Sequence, residues 1–165
     1  VKSPNPFPDL VTRALQPVWD ACAERGLPVV LKNGAPETVR ALLDATPGLK
    51  VVFSHFAGAS DPIETFRERL RIVADHETAS IDSGGLTYRH RYPFPRCQEL
   101  LQEAVETVGA SKIAWGSDYP RPGLVAEASY KQQVEFITVE CDFLSDEERQ
   151  EILSGTALRV YPWTD

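Results

Sequence analysis

The sequence has no methionine, only three cysteines and three histidines, and no apolar run approaching the ~20 residues that cross a bilayer. Each shortage excludes something. Cys22, Cys97 and Cys141 stand far apart with no CxxC pair or Cys/His cluster, which argues against a disulfide framework or a zinc knuckle. Three reduced thiols in a cytoplasmic chain are expected. Without an initiating methionine, the start is either processed or cut from something longer. No signal peptide opens the chain, and no membrane partner is expected. Basic residues are the minority, 17 against 24 acidic for a net charge of −7, so no broad cationic footprint for nucleic acid exists. What is present is ordinary for a globular protein: 165 residues, 42% apolar and 25% charged. That is one domain's worth of chain, taken as residues 1–165.

Hydrophobic patterning alternates between two periods. Val1–Pro8, with three prolines, reads as an extended arm. Asp9 is placed to cap a helix running to Gly26, with a kink or a break into two short helices at Pro17. The runs 27–31, 49–53, 78–81 and 112–115 are short, apolar and bounded by turn residues, as in strands buried on both faces. Helical spacing fills the intervals: Pro36–Ala45, Ile63–Ala74 with Asp61 and Pro62 as cap and first position, and Pro95–Val108. A further helix is expected around Ala126–Glu140. Ser145 and Glu148 form a capping box opening a last one, to Leu153. This rhythm predicts an α/β fold of about four parallel strands joined by right-handed crossovers.

In such folds the polar residues at the carboxyl ends of strands gather on one rim. Here those ends carry Lys32, His55, Asp82 and Asp118. Asp118 can hold a divalent cation or take a proton from water, or it can cap the next turn. His55 can ligate a metal or shuttle a proton, or be a structural imidazole. Lys32 is a solvated charge or the anchor of a substrate carboxylate. Asp82 can orient a basic partner, but with Ser83-Gly84-Gly85 it also has a common turn composition, and the turn is favoured. Arg89, His90 and Arg91, between Tyr88 and Tyr92, form a small cationic patch on a solvated loop or an anion-recognising one.

Four segments in order carry a family likeness: Gly26–Leu31, Val51–Gly58 (VVFSHFAG), Ile113–Pro120 (IAWGSDYP) and Leu153–Tyr161 (LSGTALRVY). Together they resemble the amidohydrolase-related family of metal-dependent hydrolases and decarboxylases, such as aminocarboxymuconate semialdehyde decarboxylase. The resemblance implies TIM-barrel-like (β/α) units, and places this chain as the C-terminal half of a (β/α)8 barrel. A whole barrel needs about 250 residues. The His-x-His pair of the family's first strand is missing. An isolated half leaves two open edges and an uncovered face, so a second copy or the missing N-terminal half is the expected partner.

The same resemblance assigns the site. It makes Asp118 and His55 the catalytic pair and the ligands of a divalent metal such as zinc. Lys32, Arg89, Arg91, Tyr119 and Arg121 become substrate-binding candidates. Lys32 falls where relatives commonly carry a histidine ligand, and a protonated amine cannot ligate. The expected activity is hydrolysis or non-oxidative decarboxylation of a small carboxylated substrate. The competing expectation is a catalytically silent half barrel serving in assembly or ligand binding.

Overall fold

Four short strands, β1 (Val29–Leu31), β2 (Val51–Phe53), β3 (Ala79–Asp82) and β4 (Ile113–Ala114), lie side by side in sequence order. All three pairings are parallel, with Val30 beside Val52, Val52 beside Ser80, and Asp82 beside Ala114. The structure is a computed structural model that describes residues 10–32, 34–88, 90–118 and 128–162. Helix α1 (Gln16–Glu24) leads into β1, and α2 (Pro36–Ala45) connects β1 to β2. The short turn α3 (Ser54–Gly58) and helix α4 (Ile63–Asp75) link β2 to β3, and α5 (Pro95–Val108) links β3 to β4. After β4 come α6 (Tyr130–Glu135), α7 (Asp146–Gln150) and α8 (Thr156–Val160), with π-helical segments at Phe136–Glu140 and Glu151–Gly155. This is the expected succession of (β/α) units, the fold of half a barrel.

The expected boundaries need three corrections. Pro17 falls in the first turn of α1, where its missing N–H has no partner to lose, so it starts the helix and does not break it. Asp61 does not cap α4; Pro62 occupies that place, and the Asp61 carboxylate pairs with Arg69. The helix expected from Ala126 begins at Tyr130, behind a complete capping box of Ser129 and Gln132. The Ser145–Glu148 box forms as expected. Asp9 and the proline-rich arm lie outside the described residues.

One sheet face packs against the helices. Val51, Phe53, Ala79, Ile81 and Ile113 join Val39, Leu42, Phe66, Leu70, Val73 and Leu101 in a continuous core. Trp19 of α1 and Leu10 join this core, and the Trp19 Nε1–H donates to the Leu10 carbonyl at 2.7 Å. The other face is not simply bare, contrary to expectation. Val52, Ser80 and Ala114 are buried there, while Val30 on the outermost strand is 52% exposed. The far edge is also partly closed, because the Trp115 N–H donates to the Ile152 carbonyl at 2.7 Å. Exposure is therefore concentrated at β1. Among the described residues no helix is long and apolar enough to cross a membrane.

Candidate active site

The chain leaves β2 in an uncommon way. His55, Phe56 and Ala57 all have left-handed backbone angles, with φ of 55°, 51° and 48°, and Gly58 follows at 72°. A left-handed turn costs about 1–2 kcal/mol for each residue bearing a Cβ. Packing and hydrogen bonds offset it. The Phe56 ring is fully buried and stacks on Phe66 at a centroid distance of 5.6 Å. The His55 N–H donates to Asp82 Oδ1 at 3.1 Å. The turn thereby drives one ring into the core and leaves the His55 side chain 35% exposed on the rim.

Asp118 reaches the same place from β4, also with a positive φ, of 51°. Its Oδ2 stands 3.4 Å from His55 Nε2, while His55 Nδ1 is 3.2 Å from Ser54 Oγ. The Tyr88 hydroxyl donates to the Asp118 carbonyl at 2.5 Å. Asp82 Oδ1 accepts from the Gly84 N–H at 2.9 Å as well as from His55. Burial pushes the Asp82 carboxyl above its ordinary range, and the two N–H donors oppose that shift. Gly85 must be small: a Cβ there would lie 3.0 Å from the His55 ring. Asp82, at the end of β3, thus holds the His55 backbone, and Tyr88, in the loop that follows, holds the Asp118 backbone.

His55 borders an open cavity of about 420 Å³ whose walls also include Lys32, Asp61, Tyr88 and His90. That volume lies in the range of about 300–1,000 Å³ usual for small-molecule sites. A smaller depression of about 160 Å³, formed partly by Leu10, Val30 and Leu31, adjoins it and shares Lys32. Lys32 and His55 therefore share one cavity, and Asp118 stands against His55. Arg91 is exposed on the loop, and among the described residues nothing ties its side chain to His55 or Asp118. Arg89, Tyr119 and Arg121 lie outside the described residues.

Asp82 shapes its turn, as favoured, and also fixes His55, the orienting role set beside that turn. Two contributors escaped the sequence. Tyr88 had no signal separating it from other loop aromatics, and Arg69 read as an ordinary helix residue. The cysteines play no part: all three are free, and burial pushes the thiols of Cys97 and Cys141 up to about 12.

The donor set bears on the expected metal. A catalytic zinc takes about three ligands from protein. His55 and Asp118 offer two, and the ammonium of Lys32 offers none. Among the described residues no cluster of three or more His, Cys, Asp or Glu forms. Asp82 is engaged by two N–H groups. These residues do not make a metal site by themselves.

Comparison with known proteins bears on the same geometry. An amidohydrolase from Burkholderia multivorans with bound zinc superposes with a TM-score of 0.74 at 19% identity, covering 91% of this chain and 57% of that one. A candidate 2-pyrone-4,6-dicarboxylic acid hydrolase from Pseudomonas putida gives 0.72 at 23% identity, covering 93% and 58%. The 5-carboxyvanillate decarboxylase of Sphingomonas paucimobilis gives 0.60 at 16% identity, covering 91% and 53%. At such identities the likeness is one of fold, and the chain spans little more than half of each relative. Among curated proteins none matches. The sequence profile of the amidohydrolases, however, matches residues 1–163. A parallel half-barrel sheet with its histidine and aspartate facing each other across the strand ends, matched along nearly its whole length by that profile, makes this chain a member of the amidohydrolase family.

Proposed function

We propose that this chain carries the reacting half of a hydrolase for a small carboxylated substrate, with Asp118 as general base and His55 as its electrostatic partner. The observation supporting this reading is the 3.4 Å approach of His55 Nε2 to Asp118 Oδ2 beside the cavity that Lys32 also lines. Asp118, 43% exposed, is open to water. It takes a proton from a water molecule whose oxygen attacks the substrate carbonyl carbon. Negative charge then develops on the carbonyl oxygen, where the His55 ring and the Lys32 ammonium oppose it. As the bond to the leaving oxygen breaks, Asp118 returns the proton to it, so protons balance over the cycle. Lys32 also holds the substrate carboxylate as a point charge. Decarboxylation would use the same cations to stabilise the electron pair left as carbon dioxide departs.

No step is routed through a metal, since two donors fall short of a catalytic set. A divalent ion would need a further ligand from outside the described residues. The exposed Val30 edge is the natural place for that complement, as a second copy or an N-terminal half. Sedimentation of the chain at micromolar concentration tests self-assembly, and a folded monomer argues against a second copy.

The central test is Asp118→Asn, assayed against carboxylated lactones and aromatic acids. Turnover should fall by at least about 100-fold while the circular dichroism spectrum is unchanged. Full activity in that variant removes Asp118 from the mechanism. The small donor set also supports a silent half barrel, which predicts no turnover by the parent protein across the same panel, with or without added zinc.

A further inference from the structure

Arg69 is the clearest buried charge outside the reacting pair. It lies on α4 and is 4% exposed. Its guanidinium is engaged along its whole edge. Nη1 donates to the Ala57 carbonyl at 2.9 Å and to Asp61 Oδ2 at 2.7 Å. Nε and Nη2 both donate to the Gly34 carbonyl, at 3.2 and 3.1 Å. The two carbonyls belong to different rim loops: Ala57 is in the left-handed turn of His55, and Gly34 is in the loop of Lys32. Gly58 completes the fit, because a Cβ there would lie 2.2 Å from Nη1 and 2.7 Å from Asp61 Oδ2.

An apolar side chain on α4 would serve the core at least as well as a buried ion pair, whose desolvation offsets much of its attraction. What arginine adds is a rigid fork of fixed geometry. That fork sets the spacing between two loops and holds open a turn that backbone sterics oppose. Released from it, the turn has every reason to relax toward right-handed angles, carrying the His55 ring away from Asp118.

We propose that Arg69, held by Asp61, is a positioning residue that fixes His55 against Asp118 and couples that turn to the Lys32 loop. The inference rests on the preceding reading of His55 and Asp118 as the reacting pair. Its closing test, however, reads geometry directly. With three histidines in the sequence, the imidazole resonances can each be assigned by NMR. Asp118→Asn supplies the reference spectrum for a His55 ring that has lost its partner.

In Arg69→Lys, which keeps the charge but not the fork, the His55 ring resonances should move toward that reference while those of His76 stay in place. The kcat should fall about 10- to 100-fold, the effect of a misplaced group. Adding Arg69→Lys to His55→Ala should cost less turnover than Arg69→Lys costs the parent, the remainder reporting the Lys32 loop. If Arg69→Lys does not fold, Asp61→Asn makes the same comparison with the guanidinium retained, and a smaller movement in the same direction is expected. His55 resonances identical to the parent's, with only a lower unfolding midpoint, would reduce Arg69 to a structural residue. Turnover retained in Asp118→Asn would overturn the functional reading alone, because the ring spectra report the clamp whether or not the pair is catalytic.

Discussion

His55 and His76 stand at opposite ends of the sheet and show what each end does with its polar groups. At the base, where strands begin, polar side chains are tied to carbonyls. His76 Nδ1 meets the Ile72 carbonyl at 2.9 Å and Nε2 meets Asp44 Oδ1 at 3.0 Å. Lys112 Nζ donates to the carbonyls of Val73 and His76, and Lys50 Nζ to those of Arg159 and Val160. These contacts close helix ends, whose last carbonyls lack partners within the helix. At the rim, His55 sits on strained backbone, half-buried, against a carboxylate and a cavity. Favourable local geometry at one end and unfavourable geometry at the other separate the part that holds the molecule together from the rim proposed to act.

The sharpest way to break this contrast is to exchange what the two histidines lose. His55→Gly should cost at least about 100-fold in turnover. Its stability should hold or rise by about 1 kcal/mol, because glycine takes the left-handed angle without penalty. His76→Ala should do the reverse, losing about 1–2 kcal/mol in urea unfolding with turnover unchanged. Equal losses of activity in the two variants would erase the distinction. The lysines give a second pair. Lys112→Met strands two carbonyls and should cost about 1–3 kcal/mol. Lys32→Met should leave the unfolding midpoint alone and raise KM for an anionic substrate.

Smaller effects come from titration. Burial raises the Asp82 carboxyl in the folded state above the ordinary 3.8. The unfolded chain therefore gives up this proton first, and this residue's contribution to stability falls as pH rises from about 3.8 through the folded value. Asp82→Asn retains an acceptor for His55 and Gly84, so it should remove that slope and be no less stable at pH 7. An unchanged slope would assign it to other carboxylates. Glu103 has the opposite sign. Its Arg67 partner holds it below the ordinary 4.5, so its contribution is present above that value and lost as pH falls through the folded one. The pair is exposed and screened by salt, making this the smallest effect, visible in Glu103→Gln only at low ionic strength.

Much of this architecture is readable along the chain. Pro36–Ala45 and Pro95–Val108 appear as helices because proline at the first turn, apolar spacing and a following stop agree within a few residues. The strands follow from short apolar runs, and their order from the crossover rule. Lys32, His55 and Asp118 could be named as rim residues because a strand end is itself a local feature. The handedness of the turn after β2 could not. Nothing in Ser54-His55-Phe56-Ala57 favours left-handed angles; Arg69, Asp82 and Phe66 impose them from later in the chain.

The sequence by itself determined the alternation of elements, the parallel sheet and the set of polar side chains delivered to its carboxyl end. Periodicity and backbone sterics act over a few residues, so they are written locally. Tertiary structure alone decided which of those side chains meet, that Tyr88 rather than Arg91 steadies Asp118, and that a helix arginine governs the setting of His55. Such contacts depend on strand register and on packing between distant segments, which no local pattern specifies.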